Sequence, residues 1–200
     1  YSASKSCAEI VAASYRRSFF NPEFYGKNHQ TLIATARAGN VIGGGDWGDD
    51  RLIPDIIRAV TEKEKVIIRN PQSVRPWQHV LEPLSGYLLL GEKLLQGHTD
   101  FADAWNFGPF RSSNIPVSEM LNISKKYWEK IDYSVAANSE NPHEAGFLML
   151  DSSKANKQLG WIPKWSIEKT LQKTLEWYKS FYEEGLIMNE KDLREYIEQI

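Results

Sequence analysis

Short apolar runs alternating with amphipathic stretches predict an α/β fold with a mostly parallel sheet. Residues 31–37 (TLIATAR), 65–70 (KVIIRN) and 104–109 (AWNFGP) are short, apolar and bounded by turn residues, as buried strands are. Between them lie segments with apolar residues three and four positions apart, long enough for crossover helices. The chain has 200 residues, 42% of them hydrophobic and 12% aromatic, enough to bury a core.

Taken in order, Ala8, Val11, Ala12, Tyr15 and Phe19 mark one face of a first helix over residues 1–19, ending before Asn21-Pro22. Its small residues, Ala3, Ala8, Ala12 and Ala13, leave room for a second helix. The strand 31–37 follows, then a glycine-rich loop. Residues 51–64 form a helix with Pro54 in its first turn, where a missing N–H costs nothing. After the strand 65–70, a helix over 81–95 has Pro83 in its first turn and Gly97 beyond its end. The strand 104–109 precedes a helix over 117–128 that opens after Pro116. Residues 146–151 (GFLMLD) read as a further strand. Ser152 or Ser153 caps a short helical stretch, SKANKQL, which Gly160 stops. Trp161, Pro163 and Trp165 form an apolar loop. Ser166 then opens a helix whose face is Ile167, Leu171, Leu175 and Tyr178.

A net charge of −2 lacks the basic footprint of a nucleic-acid binder. With Cys7 as its one cysteine, the chain holds no internal disulfide, which fits a reducing, cytoplasmic setting. Apolar runs such as 87–90 are too short to span a bilayer. The chain opens YSASKSCAEIVAAS, already inside a helical pattern and without an initiator Met, so it reads as the second part of a longer protein.

Four motifs bear on chemistry. In GNVIGGGDWGDD, Gly43, Gly45 and Gly48 match the spacing G-x-G-x-x-G. A pyrophosphate cradle needs backbone N–H groups close after a strand and free of negative charge. Here Gly43 lies six positions after Arg37, and Asp46, Asp49 and Asp50 repel phosphates. The glycines are expected to shape a loop that can still line a ligand site. Tyr1 and Lys5 are four apart, hence on one helical face. A tyrosine pKa of about 10 is too high for a base near neutrality, and a neighbouring ammonium lowers it. Tyr-x-x-x-Lys is therefore suited to taking a proton from an alcohol, although it also describes an ordinary surface turn. In RNPQSVRPWQHV (69–80), Arg75 sits in a stiffened loop and suits bidentate capture of a phosphate. His143 has acidic neighbours but no H-E-x-x-H pattern or cysteine cluster, so no metal site is expected.

The segments YSASK, ARAGNVIGGGDW, RLIPD, RNPQSVRPWQHV, AWNFGP and LDSSKANKQLGW resemble, in order and spacing, the extended short-chain dehydrogenase/reductase superfamily. GNVIGGGDW with RNPQSVRPWQHVLEPLSGYLLL resembles its CDP-D-glucose 4,6-dehydratase branch. The resemblance implies the second half of a Rossmann-type doubly wound parallel sheet plus a smaller nucleotide-sugar-binding domain. Residues 1–45 would end the Rossmann domain, and 46–200 would be mostly substrate domain with segments returning to the sheet. It implies NAD as cofactor, CDP-glucose as substrate, and conversion to CDP-4-keto-6-deoxyglucose for 3,6-dideoxyhexoses of O-antigen. By the same resemblance Tyr1 is the base, and Lys5 its partner and a contact to the nicotinamide ribose. Asn40 reaches the sugar diphosphate, Leu52 and Ile68 line the nucleotide pocket, and Arg75 binds the diphosphate. His143 and Glu144 close over ribose and phosphate. Self-association through the first helix is also implied. Two other readings fit these motifs: an epimerase or reductase of the same superfamily, or a non-catalytic CDP-sugar-binding protein.

Overall fold

The computed structural model describes residues 2–136 and 146–200; Tyr1, His143 and Glu144 lie outside them. In chain order the elements are α1 (Ser2–Ser18), β1 (Thr35–Ala38), β2 (Asn40–Ile42), α2 (Leu52–Glu62), β3 (Val66–Ile68), β4 (Val74–His79), α3 (Leu81–Leu95), β5 (Ala104–Phe107), β6 (Asn114–Pro116), α4 (Val117–Tyr127), β7 (Tyr133–Val135), α5 (Ile167–Glu184) and α6 (Asn189–Ile197). The chain divides into two compact units. The first comprises Tyr1–Ala38, Pro83–Phe107 and Asp151–Ile162; the second comprises Gly39–Glu82, Gly108–Leu150 and Pro163–Ile200.

In the first unit β1 and β5 pair in parallel, with Thr35 opposite Ala104 and Ala38 opposite Phe107. Leu90, Trp105, Phe107, Ala155, Leu159 and Trp161 form its core. The stretch predicted as a short helix is a π-helical turn, Ala155–Leu159, and Gly160 ends it in the left-handed conformation at φ 73°. Helix α1 ends at Ser18, one residue short of the expected end at Phe19. Val11, Tyr15 and Phe19, read as part of one helical face, are 55%, 53% and 66% exposed. The helical periodicity is real, but the described residues do not cover that face.

In the second unit β4 lies between β2, parallel to it, and β6, antiparallel. Strands β3 and β7 form a separate parallel pair. The core joins Ile53, Ile56 and Ile57 of α2 to Met120 and Leu121 of α4 and Leu171, Leu175 and Tyr178 of α5. Helix α5 follows its sequence signature. The Ser166 hydroxyl accepts the Lys169 N–H, and Leu171, Leu175 and Tyr178 are fully buried.

Several boundaries differ from expectation. Strand β1 starts at Thr35, four residues later than the apolar run. The stretch 146–151 is not a strand; Phe147 makes a single bridge to Val74. The segment around Arg75, expected as a loop, is the central strand β4. Pro76 gives the ladder no N–H. Gly39 lets the neighbouring backbone approach it closely: a side-chain carbon there would sit 2.7 Å from the Pro76 carbonyl oxygen, so only a glycine admits this approach. Helix α6 follows no apolar stripe of its own: its buried residues are Asp192 and Tyr196.

Candidate functional site

The glycine loop of the second unit is a packing device. It follows β2, not the strand that the apolar run suggested. A side-chain carbon at Gly44 would fall 2.0 Å from the Trp177 indole. The Tyr178 hydroxyl donates to the Asp46 carbonyl at 2.6 Å and accepts the Asp46 N–H at 2.9 Å. The Asp46 carboxylate accepts the Gly48 N–H and one Arg51 N–H, both at 3.0 Å. Trp47 packs on Trp177, Tyr178 and Phe181, and its indole N–H donates to the Tyr182 hydroxyl at 3.0 Å. An N–H group turned onto its own loop carboxylate is not offered to a phosphate, so this loop is no pyrophosphate cradle.

Just before that loop, β2 sets Asn40 opposite Trp77 of β4. Arg75 lies two residues before Trp77, so the pleat puts Asn40, Trp77 and Arg75 on one face. Arg75 is 8% exposed, and one of its guanidinium nitrogens donates to the Val74 carbonyl at 2.9 Å. A planar cation held on a strand, not on a mobile loop, is well suited to fixing an oxyanion. Leu52, the first residue of α2, packs half-buried against the core. Ile68 does not line an open surface. It is 3% exposed within that core, while its neighbour Ile67 points outward.

At the other end of β4 the structure gathers buried polar groups that spacing did not reveal. Glu82, 1% exposed in the first turn of α3, accepts the backbone N–H groups of Lys164 (2.9 and 3.1 Å) and Trp165 (2.6 Å). It also accepts the Tyr196 hydroxyl at 2.7 Å. Burial raises the Glu82 carboxyl above its ordinary range, and these hydrogen bonds oppose the shift. His79 packs its ring against Trp165, with centroids 4.7 Å apart. Burial, with the Lys173 ammonium adding to it, lowers His79 to about 3. Lys173 is itself buried and pairs with Asp192 at 3.0 Å and with Glu195. Burial works to lower Lys173, but hydrogen bonds to Glu195 and Asp192 outweigh it and hold the ammonium above its ordinary range. Asp192 and Tyr196, one helical turn apart, are the hidden residues of α6.

In the first unit Lys5 is exposed on α1. Its predicted partner Tyr1, and His143 and Glu144, lie outside the described residues. Asn40, Leu52, Ile68 and Arg75 all belong to the second unit, Asn40 and Arg75 on one face of the sheet, Ile68 in the core and Leu52 against it. No three His, Cys, Asp or Glu side chains among the described residues are grouped to hold a metal ion. No helix among them is long and apolar enough to cross a membrane.

This arrangement of parallel strands and helices is the Rossmann-type fold of nucleotide-sugar epimerases and dehydratases. UDP-glucose 4-epimerase of Thermotoga maritima, solved with UDP-glucose, matches with a TM-score of 0.71 at 21% identity, over 91% of this chain and 54% of that one. A dTDP-glucose 4,6-dehydratase of Bacillus anthracis, solved with NAD, matches with a TM-score of 0.65 at 23% identity, over 92% and 53%. A family model described as GDP-mannose 4,6 dehydratase matches residues 1–174, and the chain belongs to that family. CDP-glucose 4,6-dehydratase of Salmonella typhimurium is 48% identical over 200 residues, 98% of this chain and 55% of that enzyme. A dTDP-glucose 4,6-dehydratase of Escherichia coli is 25% identical, over 89% and 48%. The chain thus spans about half the length of these relatives.

Proposed function

We propose that this chain carries the sugar-nucleotide-binding part and the proton-transferring helix of an NAD-dependent CDP-glucose 4,6-dehydratase. The observation that carries the reading is the 48% identity, across 98% of the chain, to the Salmonella enzyme of that name. The first unit then serves the Rossmann side and the second the substrate side.

The residues differ in how they fit NAD. Lys5 is exposed on α1 and suits a ribose hydroxyl. The glycine loop, packed on Trp177, does not suit a pyrophosphate. In this reading Tyr1 and Lys5 meet the nicotinamide end and the glycine loop takes no part. NAD supplies a temporary hydride acceptor, so dehydration leaves it unchanged. Tyr1 takes the proton from the 4-hydroxyl of the glucose, and the Lys5 ammonium stabilises the phenolate that does so. Arg75 neutralises the diphosphate with its forked donors, and the Asn40 amide adds a hydrogen bond on the same face of the sheet. Leu52 flanks the nucleotide, with Ile68 backing it from the core. His143 and Glu144 close over ribose and phosphate.

The product, CDP-4-keto-6-deoxyglucose, would feed 3,6-dideoxyhexoses of O-antigen in the cytoplasm. Ile10, Val11 and Tyr15, exposed on α1, and Phe19, just past its end, support self-association through that helix. The deciding experiment gives CDP-glucose deuterated at carbon 4 to a protein containing this chain, with NAD. Loss of one water with deuterium delivered to carbon 6 is the expected result. An epimerised sugar that keeps all its oxygens would replace this reading with the epimerase one.

A further inference from the structure

Helix α6 lies beyond residue 174, the last that the family model matches. Yet its two buried residues reach two buried ionisable groups of the second unit, Glu82 and Lys173. Tyr196, 2% exposed, gives its hydroxyl to Glu82 at 2.7 Å and sets its ring edge-on to Trp165, with centroids 5.2 Å apart. Asp192, 5% exposed, takes the buried Lys173 ammonium at 3.0 Å. Glu82 in turn holds the N–H groups of Lys164 and Trp165, and the Trp165 ring lies on His79, the last residue of β4. Arg75 sits four residues earlier on that strand, on the same face as His79.

We propose that α6 is a clasp that positions β4, and that Tyr196 and Glu82 are positioning residues for Arg75. The physical case is the asymmetry of buried hydrogen bonds. A carboxylate sealed from water loses far more when one donor is withdrawn than an exposed one does. Withdrawing the Tyr196 hydroxyl leaves Glu82 short of a donor beside the two backbone groups it anchors. The 164–165 segment then loosens, and the Trp165 ring no longer fixes the end of β4. Hydrophobic packing alone would not behave this way, because Tyr196→Phe keeps the ring and its contact with Trp165.

The consequence for ligand binding rests on the assignment of the diphosphate to Arg75; the clasp itself does not. The experiment therefore has two arms, both on the 200-residue chain. Amide hydrogen exchange in Tyr196→Phe is expected to speed up about tenfold or more at Lys164 and Trp165, with Ile56 and Ile57 of α2 unchanged as a control for global unfolding. Asp192→Asn, which weakens the second anchor of α6, is expected to act in the same direction. Unchanged exchange at Lys164 and Trp165 in both variants overturns the clasp. In the second arm, calorimetry with CDP follows Tyr196→Phe with and without Arg75→Ala. Weakening by roughly three- to tenfold with Arg75 present, and by less than about twofold without it, supports positioning through Arg75. Equal weakening in both backgrounds overturns that route. Unaltered CDP affinity in Arg75→Ala alone overturns the diphosphate assignment and leaves the clasp to be decided by exchange.

Discussion

The Tyr178 hydroxyl is bonded to both backbone groups of Asp46, donating to the carbonyl at 2.6 Å and accepting the N–H at 2.9 Å. One side chain of α5 thereby stands in for a strand neighbour and closes the glycine loop. Burial pushes the phenol up to about 12, so it stays protonated, able to donate and accept at once, across the physiological range. Tyr178→Phe removes both bonds and leaves the loop backbone without those partners, a loss of about 1–3 kcal/mol. Gly44→Ala drives a methyl into the Trp177 ring and costs about 1–3 kcal/mol or more. Thermal unfolding followed by tryptophan fluorescence checks both. If Gly44→Ala melts as the parent does, the loop is not seated on Trp177.

A second prediction concerns acid. His79 is neutral in the fold, with a pKa lowered from 6.5 to about 3 by burial and by Lys173. Between those two values the unfolded chain binds a proton that the folded chain refuses, so stability falls as pH falls from 6.5 towards 3. The full loss is on the order of a few kcal/mol. Glu82 works in the opposite sense, because its raised carboxyl takes up a proton in the fold before it does so in the unfolded chain. His79→Asn keeps an acceptor for the Leu81 N–H, now bonded to the His79 ring at 3.3 Å, but cannot titrate. Urea unfolding at several pH values is expected to show a flatter acid limb in that variant. An equally steep limb would move the acid sensitivity to other groups.

How much of this was legible follows from what kind of force holds each element. Helix α5 could be read because an N-cap serine precedes a regular stripe, Ile167, Leu171, Leu175 and Tyr178, and burial follows that stripe. Helix α6 could not. Its hidden residues are Asp192 and Tyr196, and what hides them is Lys173 and Glu82, distant in the chain. No local periodicity signals a helix fastened by ion pairs. Strand β4 carries Pro76, which gives the ladder no N–H, and the close approach of the neighbouring backbone depends on a glycine at position 39. Arg75 was recognised as a residue while its element was misread. Ile68 was assigned to the nucleotide pocket by resemblance alone; in the sheet the pleat turns it into the core and Ile67 outward.

Arg75 carries the third prediction. If Arg75 meets the diphosphate as proposed, replacing this buried guanidinium is expected to cost about 2–5 kcal/mol of CDP-sugar affinity. Arg75→Lys keeps the charge but not the fork, so it is expected to recover part of the loss. Calorimetry with CDP reads both, and a lysine variant that binds as tightly as the parent would argue for simple charge attraction in place of forked recognition.

The fourth concerns NAD and the 200-residue chain by itself. Its glycine loop is closed by Trp177 and Tyr178, and the Asp46 carboxylate occupies the Gly48 N–H. A phosphate brought there meets negative charge where it needs donors. The purified chain is expected to pass through gel filtration without NAD. Stoichiometric NAD in the protein peak would show that some other part of these 200 residues cradles the pyrophosphate.

The last prediction tests the proton transfer assigned to Tyr1 and Lys5. Tyr1→Phe removes one oxygen and adds no bulk, so folding is expected to be intact. As the proposed base for the 4-hydroxyl, Tyr1 has no substitute in phenylalanine, and the loss in rate is expected to be about 10²–10⁴-fold or greater. In the proposed mechanism Lys5 acts differently: it stabilises the phenolate but does not take the proton. Lys5→Ala is therefore expected to slow the reaction and to leave a rate that climbs with pH. Without the ammonium, more alkaline solution is needed to form the phenolate. Binding of NAD is expected to weaken in the same variant, because the proposed mechanism also has the lysine meet the ribose. The measurement is transient NADH absorbance in a pH series, on a protein containing this chain and supplied with CDP-glucose. Undiminished NADH formation in Tyr1→Phe at neutral pH would take Tyr1 out of the mechanism. A pH profile that stays in place in Lys5→Ala would reduce Lys5 to a ribose contact and leave the phenolate to be stabilised by another group.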